Sequence, residues 1–323
     1  MADKKELLIL AEYSQNKIHP VVYELLNKGR ELAKKAALSL SVLILTPEKI
    51  AADELIYHGA DKVYLMEDQK FSKPDELLYK ENISSFLKKI NPEIILIGAT
   101  HFGRSLAPRL AAALKAGLTA DCTELDIDES GELVQIRPAF SENILAHIKS
   151  KTKPQMATIR YQEFSKAKRN SSLKGEVIEV DSISFQNQGL NDVKKISEQK
   201  INIAEAEVIV AGGSGIKKAK DFEMLQELAD IFDGVVAASR DVVDAGLIAK
   251  EHQVGYSGQR VKPKIYFAFG ISGAPQHLAG MKEAETIIAV NTDPSAPIFN
   301  TADYGITADL YEVIPEMIKI FKE

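Results

Sequence analysis

Apolar residues recur along this chain in two alternating rhythms. Short runs that are apolar on both faces come first: LLILAEY (Leu7 to Tyr13), SVLILT (from Ser41), KVYLM (from Lys62) and IILIGAT (Ile94 to Thr100). Between them lie longer stretches whose apolar residues fall three or four apart. Pro20 opens one, a helix that places Val21, Val22, Leu25, Leu26, Leu32, Ala33 and Ala36 on one side. KIAADELIYHGA predicts a second helix ending near Gly59, Tyr79, Ile83, Phe86, Leu87 and Ile90 stripe a third, and Ser105 to Leu114 form a fourth. Strands that are apolar on both faces need a helix layer on each side, which implies a parallel sheet.

The rhythm changes from Thr119 to about Val180. GELVQIRPAF, NILAHIKS, QMATIRY and GEVIEV read as short strands with turn signals that could extend the same sheet as mixed strands. A polar stretch rich in Ser, Asn and Gln follows, and the domain boundary is expected around residues 190 to 203. The strand–helix rhythm then restarts with AEVIVAGGSGI, KDFEMLQELADIF, GVVAASR, KIYFAFG, TIIAVN and YGITADLYEVIPEMIKIF. The fold class expected is α/β, with two doubly wound parallel-sheet domains covering residues 1–200 and 201–323. Four strands of the second domain end in polar or glycine-rich sequence: Gly212-Gly213, Ser239-Arg240, Gly270 to His277, and Asn291. In open parallel sheets ligands bind outside the carboxyl ends of the strands, so the site is expected on that edge.

Composition narrows the function. A chain of 323 residues with 45% hydrophobic and 27% charged residues can bury full cores in about two domains. The net charge of -6 gives no broad attraction for nucleic acid or an anionic membrane. The local basic run KAKR (Lys166 to Arg169) reads as a solvated loop. Cys122 is the single cysteine and reads as a small core residue; no cysteine metal site or intrachain disulfide is possible. The histidines are scattered without i, i+4 ligand spacing, so no metal site is expected. G-x-S-x-G is absent, and no nucleophilic triad is legible. No signal-peptide pattern and no apolar run long enough for a membrane span is present, so the expected location is cytoplasmic.

Four stretches could carry ligand chemistry. AGGSGIKK (Ala211 to Lys218) resembles a dinucleotide turn but lacks G-x-G-x-x-G and G-x-x-x-x-G-K-[ST] spacing. It is either a tight turn needing glycine or a set of backbone N–H donors toward a phosphate. Ser239-Arg240 is either a helix cap with a solvated Arg or an Arg facing an anion or a flat ring. QVGYSGQ (Gln253 to Gln259) alone is a turn. GISGAPQH (Gly270 to His277) is a bare strand-to-helix turn ending in an imidazole, which suits an anion and a neutral histidine hydrogen bond.

Taken together, VVAASRDVVDAG (Val235 to Gly246), QVGYSG (Gln253 to Gly258), GISGAPQHLAGM (Gly270 to Met281) and IIAVNTDPSAPIFNTADYGITADL (Ile287 to Leu310) resemble the alpha subunit of electron transfer flavoprotein in order and spacing. GATHFGRSLAPRLAAALKAGLTADCTELDID (Gly98 to Asp128) is similar to that family's first domain, so the resemblance covers nearly the whole chain. It implies a nucleotide-hydrolase-like first domain packing on a beta subunit and an FAD-binding second domain. It further implies electron exchange with acyl-CoA dehydrogenase-type flavoproteins rather than catalysis by a stand-alone enzyme, and no catalytic residue is assigned. The segment GLTADCTELDID looks like those of electron-bifurcating members, which use NADH and a second FAD in the beta subunit. Carried over to this chain, the resemblance puts Ser239 and Arg240 on the flavin. Gln253, Val254, Gly255, Tyr256, Ser257 and Gly258 would line it, with the Ser257 hydroxyl near the flavin N5. Ser272, Gly273, Ala274, Pro275 and Gln276 would form its cradle, and His277 would reach the carbonyl edge of the ring. Asn291, Asp309 and Leu310 would hold the adenosine end.

Three positions depart from the family pattern. Ser214 stands where many relatives have Arg, which removes a charge and puts that loop's role in doubt. Tyr256-Ser257 replaces a common Gln-Thr but keeps a hydroxyl, and Pro275 replaces an apolar residue at a position that suits a first helical turn. Arg240, His277 and a helix N-terminus would all favour negative charge on a reduced flavin. Two other readings remain open on the residues alone. One is an NAD-dependent dehydrogenase, which would need a full glycine fingerprint with an acidic residue about 20 positions on. The other is a nucleotide-binding module without redox chemistry.

Overall fold

The computed structural model describes residues 5–14, 16–73, 75–139, 144–185 and 203–322. The chain divides into two compact units, Met1–Lys194 and Lys195–Glu323. The boundary expected at residues 190 to 203 lies almost wholly outside the described residues.

In chain order the first unit contains β1 (Glu6–Ala11), β2 (Tyr13–Ser14), β3 (Lys17–Ile18), α1 (Val21–Lys35), β4 (Ser39–Thr46), α2 (Asp53–Tyr57), β5 (Lys62–Glu67) and α3 (Glu76–Ile90). It continues with β6 (Ile94–Gly98), α4 (His101–Leu114), β7 (Leu118–Cys122), β8 (Glu124–Ile127), β9 (Leu133–Ala139), β10 (Ile144–Ile148), β11 (Gln155–Ile159) and β12 (Glu176–Glu179). Seven strands pair in parallel in the order β12-β5-β4-β1-β6-β11-β7. The apolar runs are buried because both faces are covered. Leu7 and Ile9 join one cluster with α1, and Leu8 and Leu10 join the other with α3 and α4.

The changed rhythm after Thr119 splits in two. β7, β11 and β12 extend the parallel sheet, whereas β8, β9 and β10 form a separate antiparallel sheet. Cys122 is fully buried, and burial pushes its thiol up to about 12, as a core residue requires. The helix expected over KIAADELIYHGA is only Asp53–Tyr57. The helix expected from Ser105 begins at His101, because Thr100 caps it: its Oγ1 accepts the Gly103 N–H at 2.9 Å.

At the carboxyl edge of this first sheet Thr100 Oγ1 donates to Glu12, and a Cβ on Gly103 would lie 1.9 Å from the Gly98 carbonyl oxygen. The cavity left there, lined by Leu10, Tyr13, Gly98 and Phe102 among others, holds about 30 Å³. That is space for little more than a water.

The second unit is a five-stranded parallel sheet made of β13 (Val208–Gly212), β14 (Val235–Ala238), β15 (Ile265–Phe269), β16 (Thr286–Asn291) and β17 (Tyr304–Thr307). Its helices are α5 (Phe222–Ile231), α6 (Arg240–Asp244), α7 (Pro275–Leu278) and α8 (Leu310–Lys322). The order β14-β13-β15-β16-β17 starts inside the sheet, steps to one edge and then crosses to the other side. Phe222, Leu225, Leu228 and Ala229 bury the inner face of α5, as their spacing predicts. The order reverses between β13 and β15, so their carboxyl ends mark the topological switch point.

Candidate functional site

A cavity of about 450 Å³ lies over the carboxyl ends of β14, β13 and β15. Ser214 contributes from the turn after β13. Ser239, Arg240, Asp241 and Asp244 contribute from α6 and its start, and Gln253 to Ser257 from the following loop. Ile271, Ser272, Ala274, Gln276 and His277 complete it after β15. The motifs at residues 239–240, 253–257 and 271–277 are thus brought together. Asp241, Asp244 and Ile271 line the cavity too, although the family resemblance gives them no role.

Glycine geometry shapes the walls. Gly255 has φ +140° and Gly273 has φ +89°, conformations that L side chains rarely adopt. A Cβ on Gly273 would meet the Ile298 amide nitrogen at 2.3 Å, where Ile298 N–H donates to Ser272 at 3.0 Å. The Tyr256 N–H donates to the Gln276 carbonyl at 2.7 Å, joining the two loops, and Val254 N–H donates to the Ala238 carbonyl at 2.9 Å. Gly258 packs behind this wall against Gln253, and Pro275 begins α7 without lining the cavity.

The polar groups are arranged unequally. Gln253 is buried, and its Nε2 donates to Ser257 Oγ at 3.0 Å. The Ser257 hydroxyl accepts that bond, so its own proton stays available to a ligand. Ser239 occupies the N-cap position of α6 but makes no side-chain cap bond; its Oγ is buried without a partner. His277 is 7% exposed, its Nε2 lies 3.1 Å from the Tyr266 hydroxyl, and its Nδ1 is buried without a partner. A buried unmet polar group costs about 1–3 kcal/mol. Two such atoms on one cavity are what a ligand with matching polar groups would relieve.

His277 is neutral chiefly because it is buried. Burial lowers its pKa to about 4, against the smaller opposing effects of the Val254 backbone and the Asp241 charge. The helix expected to supply a positive dipole is only the four-residue α7, too short to supply a macrodipole of any size. Arg240 differs from expectation as well. Its Nε donates to Asp244 at 2.9 Å, and both side chains are exposed. Asp241 accepts a long bond from Ser214 Oγ at 3.4 Å. One cation and two carboxylates therefore share this side of the cavity, which is not the plainly positive wall that Arg240 alone suggested.

The glycine-rich turn after β13 brings Ser214 to the cavity, while the amides around it are used in packing. Gly213 N–H donates to the Phe269 carbonyl at 2.9 Å and Gly215 N–H to the Gly270 carbonyl at 3.1 Å. Ile216, Lys217 and Lys218 donate to Gly213, Tyr311 and Asp221. These amides are occupied within the protein, which favours the tight-turn alternative over a phosphate cradle. Asn291, Asp309 and Leu310 lie outside the cavity. Asn291 Nδ2 donates to the Ile271 carbonyl at 2.9 Å, Asp309 Oδ1 accepts the Tyr311 N–H at 2.9 Å, and Leu310 is buried against Gly215 and Gly270.

Comparison with known proteins follows the same division of the chain. Residues 7–184 match the electron transfer flavoprotein domain, and residues 202–282 match the electron transfer flavoprotein FAD-binding domain. The chain is 44% identical to the electron transfer flavoprotein subunit alpha of Thermoanaerobacterium thermosaccharolyticum, over 100% of this chain and 99% of that protein. It is 40% identical to the same subunit of Megasphaera elsdenii, over 100% of this chain and 98% of that protein. It is also 41% identical to the lactate dehydrogenase (NAD(+),ferredoxin) subunit LctC of Acetobacterium woodii, over 98% of this chain and 77% of that protein.

Proposed function

Because this chain belongs to the electron transfer flavoprotein family, among its alpha subunits, we propose that it pairs with a beta subunit and carries FAD in its second unit. In this reading electrons pass between the beta subunit or NADH, or a donor dehydrogenase, and acyl-CoA dehydrogenase-type flavoproteins in the cytoplasm. The observation that carries it is the cavity over β14, β13 and β15, where Ser239 Oγ and His277 Nδ1 are both buried and unpartnered. Their donor chemistry fits the nitrogen- and oxygen-rich edge of a flavin. Bound FAD would supply a ring that takes up and releases electrons one or two at a time.

The residues of this chain would bind and orient. Ser257, whose oxygen is already held by Gln253, would donate its proton toward the flavin N5. His277 would donate toward the carbonyl edge of the ring, and Ser239 would bond close by. Gly255 and Gly273 leave the loops free of side chains at two bends. Arg240 would oppose negative charge on the reduced ring only as far as Asp244 leaves its charge uncompensated. A carrier needs no activated nucleophile, and the buried neutral His277 is unsuited to taking a proton near pH 7. The dehydrogenase alternative is disfavoured, because the turn after β13 lacks the fingerprint and the amides of Gly213, Gly215 and Ile216 are occupied within the protein.

Electron bifurcation is a second reading, favoured by the 41% identity to a subunit whose name couples NAD(+) and ferredoxin. The test is co-purification with the beta subunit, identification of the released flavin by mass, and counting of flavin per heterodimer. One FAD per heterodimer supports a simple carrier, and two support bifurcation. A colourless heterodimer that binds NADH would overturn both.

A further inference from the structure

We propose that Tyr266 is a positioning residue that holds His277 as the neutral tautomer with its proton on Nδ1, making the imidazole a fixed donor for the flavin. The inference rests on the flavin reading above, but its first observation does not. Tyr266 is the second residue of β15 and is fully buried in an apolar cluster with Ile209, Ala268, Met281 and Ile287. Among the described residues its hydroxyl has one hydrogen-bonding partner, His277 Nε2 at 3.1 Å.

Two proton arrangements are possible across that contact. If Nε2 carried the proton and donated to the phenol oxygen, the phenol proton would be left unmet in an apolar core. The bare Nδ1 would then be a second unmet group. If the phenol donates to a bare Nε2, the phenol is satisfied and only Nδ1–H remains unmet. Each unmet buried group costs about 1–3 kcal/mol, so the second arrangement is favoured. Its one unmet donor belongs to a residue that lines the cavity, where a ligand oxygen can take it.

Burial also favours the uncharged form of both rings, lowering His277 to about 4 and raising Tyr266 far above its usual value. The same imidazole could in principle present either a lone pair or a proton to a ligand. Tyr266 removes that ambiguity from a position the ligand does not touch, since it is absent from the cavity lining.

The test uses the full chain with its beta subunit, labelled with 15N in histidine, and reads the His277 ring nitrogens by NMR. The signals are assigned by their loss in His277→Gln. In the wild type, Nδ1 is expected to be protonated and Nε2 of the bare, pyridine type. In Tyr266→Phe the ring is expected to become a mixture of tautomers, and FAD to bind roughly three- to tenfold more weakly. A protonated Nε2 in the wild type overturns the proposal, and this reading does not depend on any variant folding. So does an unchanged Nδ1–H signal in Tyr266→Phe. A wild-type heterodimer that takes up no flavin would sink the flavin reading instead, leaving the tautomer assignment to be decided by the same spectrum.

Discussion

Ser239 and His277 each leave a polar atom buried and unpartnered on one cavity, and that coincidence drives the residue-scale predictions. Ser239→Ala should affect the flavin-free and flavin-loaded states differently. Without flavin, removing an unmet buried hydroxyl leaves thermal stability unchanged or slightly higher. With flavin it removes a partner, and the FAD dissociation constant should rise about fivefold by titration calorimetry. Equal destabilisation of both states would contradict the assignment. Asp244→Asn tests the charge at Arg240. The pair is exposed on both sides, so its loss should cost less than about 1 kcal/mol in urea unfolding. Freeing Arg240 should raise the flavin midpoint potential by tens of millivolts in a redox titration. The residue types at 239, 240, 257 and 277 were legible from motif order. The family resemblance gives the carboxylates at 241 and 244 no role, although Arg240 and Asp244 have the i, i+4 spacing of a helical ion pair. What no local pattern shows is burial: His277 is neutral because of its surroundings, not because of a helix terminus.

At the scale of elements, the strands and glycine turns set how closely the backbone loops can approach. The bend at Gly273 has φ +89° with no room for a Cβ beside the Ile298 amide. Gly273→Ala should therefore destabilise the second unit by more than about 2 kcal/mol in urea unfolding, and cost the bound flavin as well. A variant of wild-type stability would show that this bend is not strained. The sequence predicts the strands well, since an apolar run covered on both faces has few alternatives. It predicts short helices poorly. Proline at the start of α7 was visible, but nothing local says that the helix stops after four residues. AGGSGIKK illustrates the same limit: its glycines could serve a phosphate or a tight turn, and the choice depends on Phe269, Gly270 and Tyr311, far away in sequence.

For the molecule as a whole, one buried titratable group in each unit, Glu24 and His277, should act on stability in opposite senses between about pH 4.5 and 6.5. In the first, Glu24 is buried, and burial raises its carboxyl to about 7 even though Oε2 accepts the Gln162 N–H at 2.8 Å. The folded state then holds a proton that the unfolded chain releases above about 4.5, so stability falls as pH rises from there to about 7. Glu24→Gln should stabilise the first unit at pH 8 by about 1 kcal/mol, with the gain disappearing below pH 5 in denaturant titrations. In the second unit His277 has its pKa lowered from 6.5 to about 4, so its contribution is lost as pH falls through that window. Glu24→Gln or His277→Gln variants whose stability keeps the wild-type pH dependence between about pH 4.5 and 6.5 would refute this account.

The sequence by itself determined the α/β class, the parallel sheets, the edge that carries the cavity and the family, because periodicity and motif order are local and can be read before the chain is folded. Only the tertiary structure decided which polar atoms are left unpartnered, which charges are compensated and which glycine-turn amides are taken up within the protein. Those properties depend on residues that meet from distant parts of the chain, as Tyr266 and His277 do beneath the cavity.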